Sequence, residues 1–226
     1  MKKIITLVLL TTTIMTTAQN TSLPPTVDVT GEGIVRVVPD EVTVSVRVEN
    51  TGKIAQEVKK ENDRIVNEVL SSLKKLGIPD KDVRTQYIRL NKNYEYNTKT
   101  YNYAANQSIA VTLRDLSMYE SLMNTLLSSG INNIDDIAFD ASTREALETE
   151  ARKKAVLNAK QKAEEYASVL NQTISKAVSI SEYRMSNTPS PMYKTMAMDA
   201  EAGGQQTMAP GEMEIRTTVN VSFLLE

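Results

Sequence analysis

The chain has 226 residues with nearly balanced charge, 26 lysines and arginines against 28 aspartates and glutamates, and it contains neither histidine nor cysteine. These absences exclude serine–histidine and cysteine–histidine nucleophiles, zinc sites built from imidazole or thiolate ligands, and disulfides. The balanced charge offers no basic field for nucleic acid, so we expect no nucleic-acid partner.

The first 18 residues have the features of a cleavable export signal. Two lysines follow the first methionine, residues 4–15 form a short apolar run, and small residues follow it. A membrane anchor is the alternative, but the run is rich in threonine and shorter than the ~20 apolar residues that span a bilayer. We therefore predict a signal peptide over 1–18, a linker over 19–26, a periplasmic location and no integral membrane segment after cleavage.

The first part of the chain predicts three strands, over 27–38, 42–49 and 83–90, and a helix over 54–76. Valine at every second position of the second strand indicates a strand with one buried face. Gly77, followed by Pro79, is a typical helix end. Gly31 and Gly33 are predicted to lie at bulges of the first strand.

A symmetric group of tyrosines surrounds the sequence NTKT, namely Tyr94, Tyr96, Tyr101 and Tyr103. We predict a hairpin in which Tyr96 faces Tyr101, Tyr94 faces Tyr103, and all four rings lie on one face. Cross-strand aromatic pairs stabilise a hairpin, and tyrosine is also enriched at interfaces. The four side chains are therefore a candidate interaction surface, with local hairpin stability as the alternative.

The second part of the chain predicts strands over 108–114, 131–139, 177–180 and 214–225 and helices over 117–129 and 143–170. The longer helix carries alanine at every fourth position from Ala151 to Ala167, and such small side chains let a partner surface approach closely. The order is β-α-β-β, a connecting helix and β-α-β-β again, which suggests an internal duplication. We predict an α+β fold of two β-α-β-β units joined by a helix, with mainly antiparallel sheet and helices packed on one face.

The segment 187–211 is rich in proline, glycine and methionine and has no periodicity, so we predict a mobile or binding loop. Thioethers can hold Cu(I), but without histidine or cysteine such a site is weak. We therefore predict no metal and no cofactor, and interpret the methionines as packing or interaction residues. Three of them join the candidate interaction surface: Met192, Met196 and Met198.

A small group of carboxylates lies around a predicted strand, namely Asp135, Asp136 and Asp140. Paired carboxylates can bind calcium or act as acid and base. No EF-hand spacing accompanies them, so we interpret them as solvated charges. We predict no catalytic residue and no enzymatic activity.

With these elements in place, the chain from 27 to 226 resembles the SIMPL-domain family, the domain of unknown function 541, whose bacterial members are exported proteins of the outer-membrane-protein-28 type. The motifs that carry the resemblance are VTGEG (29–33), VPD (38–40), LGI (76–78), DVRT (82–85), YAANQSIAVTLRD (103–115), ARKKA (151–155) and PGE (210–212). The resemblance implies an α+β fold, a periplasmic or envelope location that includes association with the outer membrane, and assembly into homo-oligomers. It also implies a loose link to envelope or oxidative stress, and it brings no catalytic motif.

Together these features lead us to expect an exported, non-enzymatic envelope protein that self-associates. The alternative is a periplasmic binding module for a peptide, glycan or lipid, which would use the tyrosine hairpin and the loop rich in methionine and proline. A carboxylate enzyme around Asp135, Asp136 and Asp140 is the third hypothesis, and no substrate is suggested for it.

Overall fold

The computed structural model describes residues 24–97, 99–183 and 210–226. The predicted signal peptide and most of the predicted linker lie outside the described residues, as does the part of the predicted loop from 187 to 209. The three methionines of the candidate interaction surface, Met192, Met196 and Met198, therefore also lie outside them.

Within the described residues the chain forms, in order, β1 (Thr26–Val37), β2 (Glu41–Gly52), α1 (Ala55–Leu76), β3 (Val83–Thr85), β4 (Arg89–Glu95), β5 (Thr100–Leu113), α2 (Tyr119–Ser128), β6 (Asn133–Asp140), α3 (Arg144–Val169), β7 (Ile174–Tyr183) and β8 (Met213–Leu225). Short 3-10 helices precede β3 and α2, at Asp80–Asp82 and Leu116–Met118. The strand predicted over 83–90 is thus two strands, β3 and β4, separated at 86–88.

The strands form two antiparallel sheets. The five-stranded sheet has the order β3-β5-β2-β6, and β4 continues along the same edge of β5 as β3. The three-stranded sheet has the order β1-β8-β7. This architecture confirms the predicted α+β class with antiparallel sheets and helices.

The pairing of strands departs from the predicted duplication. The linear order β-α-β-β, helix, β-α-β-β is present from β2 to β8 when β3 and β4 are counted together. However, β6 pairs with β2, and β8 pairs with the N-terminal strand β1. The second β-α-β-β segment is therefore divided between the two sheets, because strand partners are chosen by long-range contacts that the linear order does not contain.

The core of the five-stranded sheet lies between the sheet and its two helices. The four alternating valines of β2, from Val42 to Val48, are fully buried against α1 and α2, while the residues between them lie on the opposite face. The helices contribute Val66, Val69, Leu73, Leu122 and Leu126. Helix α1 ends at Gly77, whose φ of 89° turns the chain so that the Ile78 N–H donates to the carbonyl of Leu73 at 3.1 Å.

The three-stranded sheet packs against α3 through the alanine stripe and two glycines. The alanines from Ala151 to Ala167 are fully buried, and the register of β1 against β8 runs without interruption. The predicted bulges at Gly31 and Gly33 are therefore wrong. A Cβ at Gly31 would lie 2.0 Å from the carbonyl oxygen of Ala155, and one at Gly33 1.9 Å from that of Ala151. The glycines are there because the helix backbone lies directly on them.

Side chains of α3 also cover the unpaired edge of β1. Lys162 donates to the carbonyl of Thr30 at 2.8 Å, and Lys154 to that of Ile34 at 3.5 Å. Between them the N–H of Glu32 donates to the Asn158 side chain at 3.1 Å. The spacing matches because four helical residues rise about 6 Å and two strand residues about 6.6 Å. This edge of the sheet is thus closed to the addition of another strand.

Candidate functional site

The four tyrosines lie on the hairpin formed by β4 and β5, with a register that differs from the predicted one. Tyr94 faces Tyr101, and Lys92 faces Tyr103. Tyr96 belongs to the turn, so the predicted facing pairs, Tyr96 with Tyr101 and Tyr94 with Tyr103, are wrong by two residues. A shift of two residues leaves every strand side chain on its original face. The three tyrosines within the strands therefore share one face, as predicted.

The rings form a continuous cluster that also contains a lysine. The ring centroids of Tyr94 and Tyr96 are 5.1 Å apart in an edge-to-face arrangement, and those of Tyr94 and Tyr101 are 5.0 Å apart. The ammonium group of Lys92 lies 4.3 Å from the ring centroid of Tyr101 and 6.0 Å from that of Tyr103, a cation–π geometry. We call these five residues the tyrosine cluster. Lys92 was missed at the sequence level, although it stands two positions before Tyr94.

The tyrosine cluster sits where the hairpin extends past the rest of the sheet. Strand β5 pairs with β2 as far as Tyr103, and from Thr100 to Asn102 its pairing continues with β4. Every residue of β4 is exposed, and the exposed fractions of Tyr94, Tyr96 and Tyr101 are 41%, 84% and 56%. The cluster is therefore a projecting aromatic surface rather than part of the core.

The exposure of the tyrosine cluster and the contacts between its rings are compatible with two roles, local stability and binding. A two-stranded ribbon is marginally stable in water by itself, so the ring contacts within the cluster help to hold it. The exposed ring faces and phenolic groups also suit burial against another surface, because tyrosine offers a large apolar area with a hydroxyl that stays hydrogen-bonded. The cluster can serve both purposes at once.

The three carboxylates considered from the sequence do not form one site. Asp135 pairs with Arg47 at 2.9 Å on the sheet face opposite α1 and α2. Asp140 pairs with Arg144 at 2.6 Å and accepts the Ala141 N–H at 2.7 Å, next to the start of α3. In the part of the chain that the structure describes, no three acidic side chains are grouped so that they could hold a metal ion.

A charge network that sequence reasoning missed ties β2, β3 and β5 together. Asp82 is buried, and Arg114 donates to its carboxylate at 2.9 Å while also contacting Glu41. These hydrogen bonds hold the pKa of Asp82 below its usual value, because they stabilise the ionised form. A carboxylate occupied in this way acts as a structural charge.

Comparison with known proteins places the chain in a family. The SIMPL family, described as a protein of unknown function (DUF541), matches residues 27–223. The chain is 31% identical over 216 residues to the uncharacterized protein YggE of Escherichia coli K12, covering 92% of this chain and 87% of that protein. It is 30% identical over 219 residues to the 26 kDa periplasmic immunogenic protein of Brucella melitensis, covering 91% and 86%. The resemblance read from the short motifs is confirmed: the chain belongs to the SIMPL family.

Proposed function

We propose that this chain is an exported, periplasmic, non-catalytic protein that associates with further copies of itself through the tyrosine cluster. The periplasmic location is supported by the predicted signal peptide and by the name of the Brucella relative. The lack of histidine and cysteine supports a role other than catalysis. No helix among the described residues is long and apolar enough to cross a membrane.

The observation that carries self-association is the projecting hairpin. Its rings lie outside both hydrophobic cores, on a ribbon that extends past β2, and no other strand of the described residues pairs with the outer edge of β4. A protein surface fits this shape well, because exposed aromatic rings on a ridge can insert between side chains of a partner. A link to envelope or oxidative stress and an association with the outer membrane stay predictions that rest on the family resemblance.

The mass in solution tests the proposal. We expect light scattering after size-exclusion chromatography to show oligomers whose fraction rises with protein concentration. The double change Tyr94→Ser with Tyr101→Ser removes the facing pair of rings and should shift the protein toward the monomer. The fold should persist, because neither ring belongs to the core, and circular dichroism would check this.

Tyr87→Ser is the matched control. Tyr87 is 96% exposed and lies on the link between β3 and β4, away from the tyrosine cluster, so its loss should leave the mass unchanged. A wild-type protein that is monomeric at every concentration would overturn the proposal and favour the alternative, a binding module for a peptide, glycan or lipid. If the wild type is oligomeric and the double variant has the same mass, copies associate through another surface.

A further inference from the structure

A polar pocket of about 340 Å³ lies on the face of the five-stranded sheet opposite α1 and α2. Four strands and the link between β3 and β4 build it, because the side chains that alternate with the core residues converge on this face. The side chains that matter for binding are those of Arg47, Arg89, Asn106, Ser108 and Asp135. We call this group the polar pocket.

One of the two arginines of the polar pocket is ion-paired among the described residues, and the other is not. Arg47 pairs with Asp135 at 2.9 Å, and the Ser108 hydroxyl donates to the same carboxylate at 3.4 Å. Arg89 lines the pocket but makes no ion pair with any residue that the structure describes. Among the side chains that line the pocket, two positive groups stand against one negative group. Glu49, outside the lining, lies 4.0 Å from Arg47, so the pocket favours an anion on the side of Arg89.

Two buried atoms of the polar pocket lack hydrogen-bond partners. Nε of Arg47 is a donor and Oδ1 of Asn106 is an acceptor, and neither meets a partner among the described residues. Buried polar groups are almost always hydrogen-bonded, so an unpartnered pair at one pocket needs an explanation. Neither atom is open to bulk solvent, so a group that enters the pocket and moves the exposed rim side chains is the natural partner. It has to bring both an acceptor and a donor.

We propose that the polar pocket binds a small carboxylate that carries a hydrogen-bond donor on the neighbouring carbon, the chemistry shared by a free amino acid and the C-terminus of a peptide. The carboxylate lies against Arg89 and Nε of Arg47, where charge-assisted hydrogen bonds form. The neighbouring N–H donates to Oδ1 of Asn106. Phosphate fits less well, because at neutral pH it carries more negative charge than a carboxylate and is repelled more strongly by Asp135.

Binding of four small probes tests the proposal. Alanine and alanyl-alanine carry both groups, propionate lacks the donor, and alaninamide lacks the carboxylate. We expect saturable shifts of the amide resonances of Arg47, Asn106 and Ser108 with alanine, with alanyl-alanine or with both, and no saturation with the other two probes. Saturation by alanine alone identifies a free amino acid as the ligand class, and saturation by alanyl-alanine alone identifies a peptide terminus.

Variants assign the binding to the polar pocket. Arg89→Gln should lower the affinity for the probe by at least about tenfold, the change expected when a charge-assisted hydrogen bond is lost. Asn106→Ala should weaken it as well. Arg84→Gln is the matched control, since Arg84 lies on the neighbouring strand β3, is exposed and does not line the pocket. Shifts that never saturate, equal binding of propionate, or an affinity that Arg89→Gln leaves unchanged would each overturn the proposal.

Discussion

At the scale of single residues, Asp82 shows how this fold accommodates a buried charge. Its carboxylate lies in the 3-10 helix before β3 and receives hydrogen bonds from both Nε and Nη2 of Arg114. Arg114 follows β5 and also contacts Glu41 at the start of β2. The interaction therefore joins three segments of the five-stranded sheet. Replacing the Asp82 carboxylate removes the charge-assisted hydrogen bonds that link the segment before β3 to the end of β5, so we expect Asp82 to matter for stability.

The pH dependence of unfolding tests the role of Asp82. Its pKa in the folded protein lies below the ordinary value of 3.8, so the ionised carboxylate stabilises the fold at neutral pH, and this contribution is lost as the pH falls from about 4 through the folded pKa. Asp82→Asn should therefore lower the free energy of unfolding at pH 7, and its difference from the wild type should shrink toward about pH 3. Urea denaturation at both pH values measures this.

Asp80→Asn is the control for this prediction. Asp80 lies in the same 3-10 helix but forms no ion pair with the described residues, so its substitution should have little effect at either pH. A deficit in Asp82→Asn that is the same at pH 7 and near pH 3 would mean that ionisation of Asp82 contributes nothing to stability.

At the scale of secondary structure elements, the contact of α3 with β1 depends on the absence of side chains. Glycines on the strand face the alanine stripe on the helix, and the backbones approach each other closely. This short distance brings Lys154, Asn158 and Lys162 within reach of the edge of β1. The same small residues therefore set the packing distance and allow the helix to cover an edge that would otherwise invite another strand.

A substitution that adds one methyl group to β1 tests this packing. Gly31→Ala would place a Cβ 2.0 Å from the carbonyl oxygen of Ala155, and that oxygen belongs to the helix backbone, so α3 has to shift. We expect a loss of at least about 2 kcal/mol in the free energy of unfolding, the cost of overpacking a tight contact. Chemical denaturation of the purified variant measures it.

Gly52→Ala is the matched substitution for comparison. Its Cβ would meet only a methyl group of Val58 at 2.8 Å, and one side chain adjusts at lower cost than a helix backbone. We expect a clearly smaller loss than in Gly31→Ala. Equal losses in the two variants would show that contact with the α3 backbone is not the reason for glycine in β1.

At the scale of the whole molecule, the two sheets have separate cores and unequal connectivity. The core of the five-stranded sheet uses residues between Val42 and Phe139, a continuous stretch of chain. The core of the three-stranded sheet combines β1 with α3 and β8, which are distant in sequence. The chain passes between the sheets at two adjacent points, where the Asp40 carboxylate accepts hydrogen bonds from the Ser142 N–H at 2.7 Å and the Ser142 hydroxyl at 2.6 Å.

This connectivity predicts that residues 38–140 fold as an independent fragment. The fragment retains the complete core of the five-stranded sheet together with α1 and α2. Its length of about 100 residues is typical of a domain with its own core. We expect a circular dichroism spectrum with both helix and strand and a single cooperative transition in urea.

A second truncation provides the contrast. A chain that begins at residue 38 lacks only β1 from the described fold, but this strand faces the alanine stripe and pairs along all of β8. We expect that chain to lose the structure of the three-stranded sheet while the five-stranded sheet remains folded. A fragment 38–140 without a cooperative transition would show that the two sheets depend on each other for stability.

Local sequence patterns were enough to predict most of the elements and the fold class, and short motifs were enough to indicate the family. The alternating valines of β2 and the alanines of α3 mark their buried faces, because side-chain direction follows the local period of a strand or a helix. The four tyrosines were recognisable as a group for the same reason. The three tyrosines within the strands share the predicted face despite an error of two residues in register, since a strand repeats every two residues.

The contacts between distant segments could not be predicted from local patterns. The glycines of β1 suggested bulges, but their reason is the backbone of α3, more than a hundred residues away in the chain. The number of residues in the hairpin turn set the register of the tyrosines, and the end of β2 decided that they project from the sheet. The polar pocket joins side chains from β2, β4, β5 and β6. A local pattern shows the face on which a side chain lies, whereas its partner depends on how distant segments pack together.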